Sequence, residues 1–288
     1  MANMSQDSKK INVSFEFFPP KDPDSINSLW VNIKRLEPLD PSFISVTYGA
    51  GGSTRENTHN LVKEIKKKTS LKPAAHLTCI GSTQAEIEKI AEDYWEAGIK
   101  DIVALRGDKP KQKKSFSNEF RYATDLISLL KKKFDFNITV SAYPEMHPDS
   151  LSLEQEYDVL KKKIDLGASK AITQFFFEST FFIDFIDGAR KRGINIPIVP
   201  GILPVTNCKK TIEFAKKMNC NMPISLLKMF EGLDSDPDTR KLVAATIVYD
   251  QCQTLINEGI KDFHFYTLNR ADLSFAICHI LGLRTLKD

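Results

Sequence analysis

Short apolar strands alternate with helix-like stretches along the whole chain, and polar side chains gather where those strands end. The strands are expected at 11–18, 43–48, 74–79, 101–105, 137–143, 170–177, 197–203 and 262–268. This alternation marks a parallel sheet, because parallel neighbours need a crossover and helices supply it. Eight such units close the sheet on itself, so the expected fold is α/β, a single (β/α)8 TIM barrel. In that fold the chemistry sits at the C-terminal ends of the strands. Those ends carry Glu16, Thr47, Thr78, Arg106 with Asp108, Tyr143, Gln174, and Asn269 with Arg270.

A chain of 288 residues is ordinary for one such barrel and ample for its core. Residues 1–10 are expected to form a disordered tail, and 11–288 the catalytic barrel. The net charge of +3 gives no reason to expect nucleic acid or a membrane as partner. Five scattered cysteines without a Cys-x-x-Cys pair suit reduced thiols in a cytoplasmic protein. The N-terminus has no apolar stretch of the signal-peptide kind, and no run approaches the roughly 18 apolar residues of a membrane span.

The helices announce their starts. Thr83 with Glu86, and Ser152 with Gln155, have capping-box spacing. The 83–97 stretch sets Ile87, Ile90, Ala91, Tyr94 and Trp95 on one face, as a helix on a barrel should. Between the seventh and eighth strands, 205–219 supplies the expected helix. The further stretch 223–258, with a long helix opening at Pro237, is an extra helical segment that helps build or cover the site. Lysine triplets at 66–68 and 131–133 fall near helix C-termini, where cations favour the macrodipole. The triplet at 161–163 follows the fifth strand, and a phosphate contact there stays open.

Glu16 ends an aromatic strand, Val-Ser-Phe-Glu-Phe-Phe-Pro-Pro, alternating with Ser14 and flanked by Phe15 and Phe17. A carboxyl partly withdrawn from water tends to keep its proton, which suits a general acid. A closed barrel has no edge strand to carry such a residue merely on the surface. Asp108 follows Arg106-Gly107, where glycine allows a tight turn, arginine grips an anion and the carboxylate accepts from ring N–H donors. Residues 49–55 look like a phosphate cradle but lack the P-loop and Rossmann endings, so a lid or turn is the safer reading. No His-Glu-x-x-His occurs among the five histidines, and no metal site is expected. His264 alternates with Tyr266 and reads as core, whereas His147 is better placed for a ligand. Lys170 begins its strand, the wrong end for a Schiff base.

Several blocks, in order, resemble bacterial methylenetetrahydrofolate reductase. They are 12–20 around Glu16, Ser45-Val-Thr-Tyr-Gly-Ala, His76-Leu-Thr-Cys, Leu105-Arg-Gly-Asp, Ala142-Tyr-Pro-Glu-Met-His-Pro, Ala171-Ile-Thr-Gln-Phe-Phe-Phe, Pro200-Gly-Ile-Leu-Pro and 262–271. The resemblance runs from about Ile11 to Leu283 and is to the short bacterial form. It implies an FAD-dependent, ping-pong reduction of 5,10-methylenetetrahydrofolate to 5-methyltetrahydrofolate in the one-carbon metabolism that feeds methionine biosynthesis. NAD(P)H is the implied donor, with NADH expected, although no motif separates the two. Glu16 matches the acid that protonates folate N10, opening the ring to an iminium that accepts hydride at the adjoining carbon. Asp108 matches an aspartate beside the flavin and the pterin. The pattern for non-covalent FAD falls on Thr47, Tyr48, Ala50, His76, Arg106, Gly107, Asp108, Ala123, Tyr143, His147, Ser150, Glu156, Lys162 and Lys163. Substrate contacts fall on Thr47, Asp108, Gln174, Lys210, Phe214 and Arg270. Ser150, Glu156, Val159, Lys162 and Lys210 stand where relatives carry Ala, Asp, Asn, Arg and Gln. A homo-oligomer is the expected assembly. Two other readings stay in view: a barrel hydrolase or lyase without flavin, and a non-catalytic subunit of a reductase complex.

Overall fold

The computed structural model describes residues 11–20, 22–48, 52–108 and 117–284. The expected tail at 1–10, and most of the glycine-rich loop, lie outside them.

All strand pairings are parallel and form one ring. The strands are β1 (Asn12–Phe17), β2 (Phe43–Val46), β3 (Pro73–Thr78), β4 (Asp101–Leu105), β5 (Asn137–Ala142), β6 (Ala168–Thr173), β7 (Ile198–Val199), β8 (Gly201–Ile202) and β9 (Asp262–Tyr266). The sheet order is β7-β6-β5-β4-β3-β2-β1-β9-β8. Its two ends, β7 and β8, are the halves of the single expected strand at 197–203. Pro200 separates them: it has no N–H for a ladder, and the chain changes partner there, from β6 to β9. The Pro200 carbonyl still accepts from His264 N at 3.0 Å, so the ring stays closed.

Helices α1 (Pro23–Leu36), α2 (Gly52–Lys68), α3 (Gln84–Glu96), α4 (Ala123–Lys133), α5 (Leu153–Asp165) and α6 (Ser179–Lys191) return the chain between strands. Then come α7 (Cys208–Lys217), α8 (Ile224–Met229), α9 (Pro237–Asn257) and α10 (Ala271–Ile280). Thr83 and Glu86 form the expected reciprocal cap of α3. At α5, Ser152 accepts from Gln155 N, but Gln155 turns its own acceptor to Leu151 N, so only half of that box forms. The triplets at 66–68 and 131–133 fill helical last turns, as do Lys162 and Lys163 of the third.

The 205–219 stretch does not take the place expected of it. A buried stripe of Ala244, Val248, Cys252 and Leu255 seats α9 in the outer ring, packed on α6 and α10. Helix α7 instead lies over the strand ends, with Ala215 buried against Phe175 and Leu203. The added element is therefore α7 with α8, and it borders the barrel mouth.

Strand side chains divide by parity. Val13, Phe15 and Phe17 of β1 pack outward into the main core with helix residues such as Leu29 and Ile33. Inside the barrel, Phe43, Ala74, Val103, Ile172 and Val199 form an apolar layer. Above it the inward positions turn polar.

Candidate active site

Parallel register sets Glu16 beside Ser45 on one side and Tyr266 on the other. Phe15 and Phe17 leave Glu16 facing the interior, with its side chain 14% exposed. Its Oε2 lies 3.4 Å from His76 Nε2 and 3.7 Å from His264 Nε2. Neither contact has hydrogen-bond geometry, and both imidazole nitrogens are buried without another partner among the described residues. Burial holds the His76 imidazole below its usual range, against the pull of Glu16. Ser45 Oγ is likewise buried and unpartnered. Tyr266 donates its hydroxyl to the Thr173 carbonyl at 2.8 Å, and burial raises its phenol well above the ordinary value.

Asn269 ties the mouth together, accepting from Phe18 N at 2.8 Å and donating to Phe18 O at 3.1 Å. Leu268 and Asn269 adopt left-handed backbone to make that turn, with φ of 51° and 60°.

Along the β2–β5 side, Thr47 and Tyr48 follow β2. The Tyr48 hydroxyl is buried and unpartnered, while its ring meets His59 edge-on at 5.6 Å. Gly107 turns with φ +87°, placing Arg106 and Asp108 on the rim. Arg106 pairs with Asp149 at 3.0 Å. Asp108 is exposed and reaches Lys217 of α7 at 3.7 Å. Ala123 is buried as the first residue of α4. Tyr143 meets His147 edge-on at 4.8 Å, and burial raises its phenol. Glu156 is buried and accepts from His147 N at 2.9 Å and from the Ser150 hydroxyl. Lys162 is exposed. Lys163 is buried instead, donating to Ser141 O at 2.9 Å, and burial pushes its ammonium down to about 8. Ala50 lies outside the described residues.

Across the mouth, Gln174 follows β6, its N–H on Ala142 O at 2.8 Å. Phe214 packs on Phe175 with ring centroids 5.0 Å apart. Lys210 is exposed in the first turn of α7, and Arg270 is exposed at the start of α10.

Three further polar residues stand at or near the site: Ser14, His264 and Glu145. For the first two, the signal was the two-residue period that puts them on the same interior face as Glu16 and Tyr266. Glu145 lies just past the β5 end, in the wall of a roughly 700 Å³ cavity shared with Phe181 and Cys220. It accepts from Asn221 N at 2.6 Å while its other oxygen is buried and unpartnered. Burial, with Glu178 nearby, pushes its carboxyl up to about 7. The folded chain thus holds an extra proton between the ordinary 4.5 and about 7, and loses stability as pH rises through that window. Glu145→Gln keeps an acceptor for Asn221 without the charge. It is expected to be more stable than the parent at pH 8 by about 1 kcal/mol, allowing for solvent screening. That advantage should vanish near pH 4.5. Paired thermal melts check this, and a difference independent of pH would contradict it.

Comparison with known proteins gives the family. The methylenetetrahydrofolate reductase family model matches residues 2–282. The chain belongs to the methylenetetrahydrofolate reductase family. The 5,10-methylenetetrahydrofolate reductase of Pectobacterium carotovorum is 52% identical over 275 residues, 96% of this chain and 91% of the relative. That of Escherichia coli K12 is 50% identical, covering 96% and 92%. An uncharacterized Clostridium thermocellum protein that binds two copies of 5-methyl-5,6,7,8-tetrahydrofolic acid superposes with a TM-score of 0.63 at 14% identity, covering 93% of each chain, and shows the fold. The chain is therefore an oxidoreductase with methylenetetrahydrofolate reductase activity. Among the described residues, no helix is long and apolar enough to cross a membrane.

Proposed function

We propose that the barrel mouth reduces 5,10-methylenetetrahydrofolate to 5-methyltetrahydrofolate with FAD as bound cofactor and NADH as donor. The observation that carries this reading is Glu16, a little-exposed carboxyl among aromatic and imidazole groups on the floor of the mouth.

The residues along β2–β5 fit FAD. Arg106 offers a guanidinium to a phosphate, and the unpartnered Tyr48 hydroxyl and the rim carboxylate of Asp108 suit a hydrogen-bonding ring. Exposed Lys162 adds charge on that side, while Lys163 supports the wall from beneath. Thr47, Ala50, His76, Gly107, Ala123, Tyr143, His147, Ser150 and Glu156 complete the proposed cofactor contacts. Held there, FAD would supply the hydride chemistry that links NADH to the folate in a ping-pong sequence, the two substrates occupying the mouth in turn.

Glu16 delivers a proton to folate N10, which frees that nitrogen as a leaving group and opens the five-membered ring. Asp108 places negative charge beside the cationic iminium that results. Gln174, Phe214, Arg270 and Lys210 line the far side and orient the folate, the two cations toward its carboxylates. The protein acts in the cytoplasm as a homo-oligomer on this reading.

Asp108 supplies the test. Only folate reduction passes through a cation, so Asp108→Asn should slow that half-reaction by about tenfold or more while flavin reduction by NADH changes far less. Stopped-flow measurement of each half-reaction separates them. Equal losses in both would make Asp108 a cofactor-holding residue and remove it from the chemistry.

A further inference from the structure

The polar chain inside the barrel continues below Glu16. Ser14 and Glu16 alternate on β1, His264 and Tyr266 alternate on β9, and the register sets Ser14 level with His264. His264 is fully buried, stacked on Phe43 at 5.7 Å and edge-on to Tyr266 at 5.3 Å. Its Nδ1 lies 2.8 Å from Ser14 Oγ, which lies 3.3 Å from the Phe263 carbonyl. Its Nε2 faces Glu16 Oε2 at 3.7 Å.

A serine hydroxyl carries one proton. It serves both neighbours only by donating to Phe263 O and accepting from His264 Nδ1–H. In the neutral imidazole that leaves a lone pair on Nε2, and a lone pair facing a carboxyl oxygen favours the protonated acid. We propose that His264, fixed by Ser14 as its Nδ1–H tautomer, is a positioning residue that keeps a proton on Glu16 between turnovers. The inference rests on the assignment of Glu16 as the acid. Each turnover leaves a carboxylate beside that lone pair, and Glu16 then takes a proton back from water.

The groups facing this pair leave room for such a role. His76 of β3 approaches the same oxygen at 3.4 Å, and burial favours its neutral form. Tyr266 is kept neutral by burial, and Tyr143 and Cys220 lie beyond it, their own ionisation also disfavoured by burial. From β6, Lys170 brings its ammonium within 5.1 Å of the Phe43 ring centroid.

The test has two arms. Nitrogen-15 NMR of histidine-labelled holoprotein, with His264 assigned through His264→Asn, should show Nδ1 protonated and Nε2 bare at neutral pH. The reverse tautomer or an imidazolium overturns the proposal. The second arm is the pH profile of folate reduction. His264→Asn keeps a donor for Ser14 but removes the lone pair, so the alkaline limb should move to lower pH by about half a unit, less than a full hydrogen bond is worth because the contact is 3.7 Å long. Ser14→Ala should move it the same way, Ser14→Thr should restore it, and flavin reduction should stay within about twofold of the parent. Should His264→Asn fail to fold, Ser14→Ala carries both the assignment and the kinetics. An unmoved limb, or one moved to higher pH, overturns the proposal. A parent protein that does not reduce folate at all would instead defeat the assignment of Glu16, leaving the tautomer to be read by NMR alone.

Discussion

Glu16→Gln is expected to reduce its flavin with NADH within about twofold of the parent rate, then fail to pass the hydride on to methylenetetrahydrofolate. Glutamine keeps the size and hydrogen-bonding reach of Glu16 between His76 and His264, but has no proton to give. Loss of a positioned general acid costs about 10²–10⁴-fold. The upper part of that range is expected here, because N10 leaves poorly without its proton and few other acids face the floor of the mouth. Stopped-flow reoxidation by the folate reads the effect. A variant as fast as the parent would remove Glu16 as the acid.

Gly201→Ala is expected to be the most damaging methyl addition in the barrel wall. An added Cβ would stand 2.2 Å from the Thr173 carbonyl oxygen and 2.6 Å from the Tyr266 ring. The oxygen is backbone, paired with the Tyr266 hydroxyl at 2.8 Å, and Gly201 N itself donates to Thr173 Oγ1 at 2.9 Å. Neither neighbour can yield without opening the seam where β8 closes the ring. Overpacking of this kind costs about 3 kcal/mol or more, so chemical denaturation should show a clearly lower midpoint. The Tyr266 displacement should also slow folate reduction. An unchanged midpoint would mean that the seam is looser than the distances show.

Much of this was legible in the sequence because it depends on local pattern. Alternation of apolar runs and helical faces marks the barrel, and the aromatic flank of Glu16 marks its desolvation. The break at Pro200 was also readable, since proline cannot donate to a ladder, yet the run at 197–203 is apolar enough to hide it. The exchange of roles between α7 and α9 was not readable. Helix α7 is strongly one-sided in its apolar residues while α9 carries them on several sides, and only tertiary packing decides which one joins the ring. His264 reads as core among Phe263, Phe265 and Tyr266; the two-residue period puts it on the face of Tyr266, but only the strand register shows Ser14 and Glu16 standing beside them. Lys163 shows the same limit: a lysine triplet at a helix end does not reveal that one member turns inward to Ser141. Most individual cofactor and folate contacts came from resemblance to the family rather than from the physical chemistry of the chain.

The most direct test of the account is an anaerobic titration of the purified protein followed by flavin absorbance. The account predicts a yellow protein that releases FAD on denaturation, bleaches with NADH, and regains its absorbance on adding 5,10-methylenetetrahydrofolate, with one 5-methyltetrahydrofolate formed per flavin reoxidised. A colourless protein that still turns over the folate, or a bleached flavin that the folate leaves untouched, would contradict it.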